Sequence, residues 1–372
     1  MAAMAKASVG SQRRNKLVNG IIVNGTLGLI CLLWLIPLTG LLVSSFRNSS
    51  DIITSGWWTV FPHQEYVNAS QVQLTRGLPL DQPVQVEGVT VTDQQLRDGY
   101  SLPDGRRLSW ANRRARLVNV QTKQWTSNAN FTLSNYQNVL FGQQFTVTLP
   151  DGSTRTETGE DMSKAFLNSL TVTIPATVIP ILIAAMAAYA FTFIEFKGRD
   201  TIFIVVVGLL VVPNQVAFVP LLQLFSNFDL VGTFPAVWIA HSGFGMPLAI
   251  FILRAYMQTL PKAVIESAKI DGASHFQTFW KLILPMSVPA LASFAIFQFL
   301  WVWNDLLVAL LFIGGGDNQV VTQYLASLLG QYGDRWDLLA PGAFISMALP
   351  LTVFFALQRF FVRGMTAGSV KG

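Results

Sequence analysis

Hydrophobic residues fall in six long runs along the chain, separated by polar segments. About 17–25 consecutive apolar residues cross a bilayer as one helix, and each run reaches that length. The runs predict transmembrane helices near residues 20–46, 171–193, 201–225, 234–253, 288–313 and 338–361. Prolines lie inside several of them, and a proline removes a backbone hydrogen bond and bends a helix. The pattern therefore predicts an all-α polytopic membrane protein with six transmembrane helices, several of them kinked.

The segment between the first two runs, residues 47–165, has a different pattern. Apolar and polar residues alternate with a period of two in stretches such as VQVEGVTV at 84–91, which is typical of β-strands. Two Leu-Pro-Asp-Gly sequences, at 102–105 and 149–152, place proline and glycine where a tight turn between strands needs them. We therefore expect a β-rich insert at about residues 62–130.

Composition and charge agree with a membrane protein and set its orientation. Only 12% of the 372 residues are charged, against roughly 25% in soluble domains. Basic residues precede the first run and follow the last, and they recur in the second-to-third and fourth-to-fifth connections. This positive-inside pattern predicts that the 1–19 tail, the 255–287 loop and the 362–372 tail are cytoplasmic, and that segment 47–165 is external. The net charge of +5 follows this pattern and gives no reason to expect nucleic acid as a partner.

The 255–287 loop is polar and predicts a short helix before Asp271. Ala263, Val264, Ser267 and Ala268 recur at helical spacing and form a narrow stripe of small and apolar side chains. A helix that lies on lipid needs large apolar anchors. The small stripe instead favours docking against another protein.

The spacing within this loop resembles the EAA loop of bacterial ATP-binding-cassette (ABC) importer permeases. The matching residues are Glu266-Ser267-Ala268, then Gly272, then residues 282–285, which read LILP. Ser267 and Leu282 stand where the family usually has Ala and Ile. The resemblance implies that residues 166–361 form the permease core and that the loop docks in a cleft of an ATPase subunit.

The resemblance also implies roles for individual loop residues. Gly272 would end the first helix, Pro285 would open the next membrane helix, and Glu266 would form an ion pair with a basic residue of the ATPase. The residues that the resemblance assigns to coupling with the ATPase are Glu266, Ser267, Ala268, Asp271, Gly272, Leu284 and Pro285.

Two further features are similar to carbohydrate importers: the Trp303-Asn304-Asp305 block and the glycine-rich C-terminal tail. With the large first loop, they make the chain most similar to the second permease of a maltose or α-glucoside importer in a bacterial inner membrane. That class implies a second permease, two ATPase subunits that bind ATP-Mg, and a periplasmic solute-binding protein as partners. No cofactor is expected on this chain. The insert would either contact the binding protein or brace the outer face.

Polar residues inside the runs are candidates for the sugar path, because ionisable groups at membrane depth usually face a cavity or the bundle interior. Aromatic faces and amide groups suit a sugar, whose C–H faces stack and whose hydroxyls need hydrogen bonds. The candidates are Trp303, Asn304, Asp305, Asn214, Gln215 and His241. As an alternative, the 303–305 block pins two helices together, and His241 is a structural hydrogen-bond partner.

The sequence lacks the G-x-x-x-x-G-K-[ST] phosphate loop, so the chain is not expected to hydrolyse ATP by that route. Its three histidines are far apart and have no metal-binding spacing. We therefore expect a transport subunit rather than an enzyme. Two rival functions remain: a secondary transporter driven by an ion gradient through Asp305, and a membrane-anchored periplasmic sensor built on the insert.

Overall fold

The computed structural model describes residues 2–75, 79, 82–148, 153–159, 161–330 and 335–366. The chain divides into two compact units, residues 1–132 and residues 133–372. Each unit is described by itself below.

The first unit begins with helix α1, Ala2–Ser45. Its segment Lys16–Ser45 has a mean hydropathy of 2.3 and is long enough to cross a membrane. A short helix α2, Ser49–Thr54, and a 3-10 turn, Trp57–Val60, follow. The first predicted span therefore lies within a longer helix.

The rest of this unit is the β-rich insert. Its strands are β1 His63–Gln73, β2 Val84–Val86, β3 Val89–Val91, β4 Tyr100–Ser101, β5 Arg107–Asn112 and β6 Leu117–Thr126, with helix α3, Asp93–Asp98, between β3 and β4. Four strands form an antiparallel sheet in the order β1-β6-β5-β4, and β2 pairs with β3. Val86, Val91, Leu96, Leu108 and Val118 are almost completely buried in the core between them.

Two turns in the insert show how the sequence reverses the chain. The 84–91 stretch folds back on itself, because Glu87 and Gly88 both have positive φ (53° and 78°), as in the turns that suit two-residue hairpins. The first Leu-Pro-Asp-Gly sequence connects β4 to β5, with Gly105 at φ 84°. The second, at 149–152, lies outside the described residues.

The second unit is mainly helical. It contains α4 Ser134–Phe141, a hairpin of β7 Gln144–Thr148 and β8 Thr154–Thr158, then α5 Met162–Phe193, α6 Arg199–Gly208, α7 Asn214–Asn227, α8 Phe234–Met257, α9 Lys262–Ile270, α10 His275–Thr278, α11 Leu284–Met286, α12 Val288–Asn304, α13 Leu307–Phe312, α14 Val321–Gly330 and α15 Trp336–Thr366. A π-helical turn, Phe279–Ile283, joins α10 to α11. Fully buried alanines, including Ala184, Ala188 and Ala249, lie in the core that α5 and α8 share. Small residues allow membrane helices to approach closely.

The described residues supply between four and six candidate spans. Four single helices are long and apolar enough: Lys16–Ser45, Met162–Phe193, Phe234–Met257 and Trp336–Phe360. Two bent pairs also qualify when each pair is taken together: Arg199–Val211 with Asn214–Asn227, and His275–Met286 with Val288–Asn304. The last helix runs to Thr366, past the predicted boundary at 361, and residues 367–372 of the predicted tail lie outside the described residues.

Two predicted spans are not continuous helices. The third run bends by 100° at Val212-Pro213, because a proline disfavours helical backbone in the residue before it, and Val212 is extended (φ −76°, ψ 120°). The fifth run ends its first helix at Asn304, and a second helix starts at Leu307. Pro213 lies at the first break and the polar pair Asn304-Asp305 lies at the second. A hydropathy pattern takes account of neither.

Candidate functional site: a capped loop and a membrane cavity

Helix α9 places its predicted docking residues on two different sides. Ile265 and Ala268 are buried and lie three residues apart, so they share one face. Ala263, Glu266 and Ser267 are exposed. The predicted small stripe is therefore divided: Ala268 packs inward, and Ala263 and Ser267 remain on the surface.

The end of α9 has the geometry that its sequence predicts. Gly272 has φ 72° and donates its N–H to the Lys269 carbonyl at 3.1 Å. The Ala273 N–H bonds to the Ala268 carbonyl at 2.9 Å. These two bonds form a Schellman motif, in which a left-handed residue, here glycine, ends the helix, and Asp271 is the residue just before it.

A second capping motif starts α10 at once. The Ser274 N–H donates to Gln277 Oε1 at 2.9 Å, and the Gln277 N–H donates to Ser274 Oγ at 3.3 Å, which is a capping box. Because one capping motif ends α9 and another begins α10 within a few residues, the loop holds α9 in a defined orientation.

Glu266 lies on the outer surface of α9. It is exposed, and among the described residues its carboxylate has no hydrogen bond or ion pair. Next to it, a groove of about 670 Å³ is lined by Ser267, Asp271 and Gly272 together with residues of α10 and the π-helical turn.

Two large apolar side chains on this surface were not predicted to take part in docking. Ile270 is 85% exposed and Phe276 is 71% exposed. Both residues stand out in the sequence as large apolar side chains in an otherwise polar segment.

The segment after the groove is fixed to the membrane helices. His275 Nδ1 lies 3.0 Å from the Tyr189 hydroxyl of α5, and the Tyr256 hydroxyl of α8 donates to the Met286 carbonyl at 3.2 Å. Phe279 and Ile283 are buried in the same core as Tyr189. The segment after the groove is therefore in direct contact with α5 and α8.

Pro285 does not start the next span. It lies with Leu284 in α11, and the chain then bends by 72° before α12 begins at Val288. Pro289, in the first turn of α12, occupies the starting position instead, where a missing N–H costs no helical bond. The predicted span of residues 288–313 begins at the same residue as α12, and only the role that the resemblance implies for Pro285 is placed one proline too early.

A half-open cavity of about 560 Å³ lies on the helical unit. It is lined by Asn214 of α7, by residues of α8 that include Phe244 and Gly245, and by Gln298 and Trp301 of α12. Asn214 is the only one of the six predicted path residues that lines it. Gln298 and Trp301 were missed, although Gln298 is an isolated amide in an apolar run and so carried a signal.

The 303–305 block has structural contacts. Trp303 is 2% exposed, and its Nε1 donates to the Ser346 carbonyl of α15 at 3.1 Å. Asp305 Oδ1 accepts the Val308 N–H at 2.9 Å and so caps α13. Asn304 is exposed and donates to the Leu300 carbonyl of its own helix. These contacts match the alternative in which the block pins helices.

The two other predicted path residues also lie away from the large cavity. Gln215 is exposed next to Asn214. His241 is 1% exposed, and its ring meets that of Trp301 edge-on at 5.0 Å. With Trp303 and Asp305, His241 lines a space of about 10 Å³, no larger than a single water molecule needs.

Comparison with known proteins gives consistent matches. The family model described as "Binding-protein-dependent transport system inner membrane component" matches residues 173–367. The chain is 44% identical over 367 residues to the alpha-glucoside transport system permease protein AglG of Rhizobium meliloti (strain 1021), covering 92% of this chain and 95% of that protein. It is 43% identical over 343 residues to the osmoprotective compounds uptake permease protein GgtD of Synechocystis sp., covering 92% of this chain and 89% of that protein.

The fold is similar to that of a solved structure. A chain of a bacterial ABC transporter involved in the import of the acidic polysaccharide alginate matches with a TM-score of 0.59 at 15% identity, over 94% of this chain and 98% of that one. At this identity the match concerns the fold.

Proposed function

Since the chain belongs to the family of binding-protein-dependent transport system inner membrane components, as an ABC importer permease and not an enzyme, we propose that it forms half of the translocation path for an oligosaccharide. The exposed, unpaired Glu266 on a doubly capped loop is the observation that carries the coupling part of this proposal. A carboxylate on the surface of α9 that has no partner among the described residues suits a basic residue of another subunit.

We propose that α9 docks in a cleft of an ATPase subunit. Glu266, Ser267, Asp271 and Gly272 face that subunit or the adjacent groove, and Ile270 and Phe276 add apolar contact area. The loop is supported by Ala268, which is buried within α9, and by Leu284 and Pro285 of α11. Interfaces of this kind combine apolar anchors with a polar rim.

Motion would pass from the ATPase to the membrane through the contacts of Tyr189 with His275 and of Tyr256 with Met286. In this proposal, ATP-Mg binds the ATPase subunits rather than this chain. For ATP to drive the change, it must bind one global state more tightly than the other. The helices then alternate between opening outward and opening inward.

The sugar assignment rests on the cavity and on the relatives. A volume of about 560 Å³ is in the range of roughly 300–1,000 Å³ that small-molecule sites have. Asn214 and Gln298 offer amides, and Trp301 and Phe244 offer aromatic faces, which together suit a sugar. AglG, as its name states, belongs to an alpha-glucoside system, so an α-glucoside or a similar disaccharide is the proposed substrate.

The proposed assembly contains this chain, a second permease, two ATPase subunits and a periplasmic solute-binding protein in a bacterial inner membrane. Each bent helix pair counts as one span, which gives six spans with both termini in the cytoplasm. The β-rich insert is then periplasmic, where it contacts the binding protein or braces the outer face.

The test of coupling is Glu266→Lys in the complete transporter. We expect the variant permease to fold and insert, but the ATPase subunits to stop co-purifying with it, because two like charges then face each other. Glu195→Lys is the matched control, since Glu195 is an exposed carboxylate on the α5–α6 connection, on the same proposed side of the membrane.

Normal ATPase recovery with Glu266→Lys would contradict the docking proposal. The sugar is tested separately, by competition of unlabelled disaccharides against labelled maltose for uptake in a strain that lacks the native gene. Failure of every α-glucoside to compete would contradict the substrate assignment and leave the docking result intact.

A further inference from the structure

Three prolines inside α5 and α15 leave backbone carbonyls that have the same kind of partner. A proline at position i has no N–H for the carbonyl at i−4, so that carbonyl loses its helical bond. Pro175 frees the Thr171 carbonyl, Pro180 frees the Ala176 carbonyl and Pro350 frees the Ser346 carbonyl.

Each freed carbonyl accepts a hydrogen bond from a side chain of another helix. Trp238 Nε1 of α8 donates to Thr171 at 2.9 Å, Gln298 Nε2 of α12 donates to Ala176 at 3.1 Å, and Trp303 Nε1 of α12 donates to Ser346 at 3.1 Å. An unsatisfied carbonyl is costly at membrane depth, because no bulk water is available to pair with it.

Gln298 has the most central of these three positions. It is 2% exposed, and its Nε2 also donates to the His241 carbonyl of α8 at 3.3 Å. One amide group therefore joins α5, α8 and α12, and it does so at the wall of the 560 Å³ cavity.

The backbone of α8 leaves room for this amide. A Cβ built on Gly245 would lie 2.8 Å from Gln298 Nε2, closer than side-chain carbons approach other atoms. The missing side chain at Gly245 therefore leaves space for the Gln298 amide. Glycine suits this position for a steric reason and not because of its backbone flexibility.

We propose that Gln298 is a positioning residue that holds α5, at the carbonyl freed by Pro180, against α8 and thereby sets the shape of the cavity. Trp238 and Trp303 hold the helices at the carbonyls freed by Pro175 and Pro350 in the same way. The contribution to helix geometry stands independently of the proposed transport function, and only its effect on sugar passage rests on that function.

The experiment is a double-mutant cycle in the purified transporter in lipid nanodiscs. Gln298→Met keeps the length of the side chain and removes its donors, and Pro180→Ala restores a backbone N–H for the Ala176 carbonyl. The four proteins are compared by the temperature at which half of the permease unfolds. Gln298→Met is expected to lower this midpoint by about 2–6 °C, since a buried acceptor loses its donor.

In the Pro180→Ala background, the drop is expected to shrink to less than about a third of that value, because the helix itself then satisfies the carbonyl. Gln323→Met is the matched control. Gln323 is also buried, but its Nε2 donates to the Gly314 carbonyl, which no proline frees. Its substitution should therefore cost the same in both backgrounds.

An equal drop for Gln298→Met in both backgrounds would overturn the proposal, since the side chain would then act only through packing. Should Gln298→Met fail to fold alone, recovery of folded protein on adding Pro180→Ala supports the proposal, and lack of recovery overturns it. Because this measurement needs no substrate and no uptake, its failure is distinguishable from failure of the proposed function.

Discussion

Substitutions of Asp305 can separate a structural role from a transport role for a charged residue within a membrane segment. Its backbone is extended (φ −79°, ψ 115°), and its Oδ1 accepts the Val308 N–H at 2.9 Å, as the side chain of a helix N-cap does. Asparagine and serine can make the same bond, but alanine cannot. We therefore compare Asp305→Asn, Asp305→Ser and Asp305→Ala.

Removal of an N-cap bond costs about 1 kcal/mol. For a domain of 150–250 residues, about 1 kcal/mol lowers the unfolding midpoint by roughly 2–4 °C. Asp305→Ala should show this drop, whereas Asp305→Asn and Asp305→Ser should stay within about 1 °C of the unsubstituted protein, since they keep the cap.

The assay combines thermal unfolding of the purified transporter with uptake of labelled maltose by cells. Asp305→Asn should retain uptake, because it keeps the cap and loses only the charge. If Asp305→Asn folds with an unchanged midpoint but abolishes uptake, the carboxylate charge itself is needed. That result would refute a purely structural role for Asp305.

Two further predictions concern other capped or paired groups. Gly272→Ala should destabilise the end of α9 by roughly 1–2 kcal/mol, since φ is 72° there, and should weaken ATPase co-purification; Gly315→Ala, at φ −130°, should change neither. Hydrogen bonding from Arg113 lowers the pKa of Asp93 below its ordinary value of 3.8. Its stabilising effect is therefore complete well above pH 4 and is lost as the pH falls below about 4 through the lowered pKa, so the midpoints of Asp93→Asn and the unsubstituted protein should converge as the pH is lowered through this range. A difference between them that stays constant with pH would contradict this reasoning.

The family resemblance, carried mainly by the spacing of Glu266, Gly272 and Pro285, is confirmed by the family match, as is the expectation of a transport subunit rather than an enzyme. The end of α9 was also predicted, since Gly272 ends it in a Schellman motif. The capping box of Ser274 and Gln277 was not predicted, although it too depends on residues only a few positions apart. The roles of the loop residues in docking stay a prediction.

The roles of polar residues in the membrane-spanning segments were harder to predict from the sequence. The sequence marked Trp303 and Asp305 as candidates for the sugar path, and the structure shows one donating to α15 and the other capping α13. It missed Gln298 and Trp301, which line the cavity. A polar side chain in an apolar run signals that it needs a partner, but it does not tell whether that partner is a neighbouring helix or a ligand.

The sequence by itself determined the membrane character, the apolar runs, the β-rich insert and the local turns and caps, because hydropathy, periodicity and capping act over short distances along the chain. Only the tertiary structure decided which helices meet and which donor pairs with each carbonyl freed by a proline. The distance from Pro180 to Gln298 along the chain is more than a hundred residues, and only packing brings Gln298 Nε2 to the Ala176 carbonyl. Contacts of that range depend on how α5, α8 and α12 cross, and no local pattern specifies a crossing.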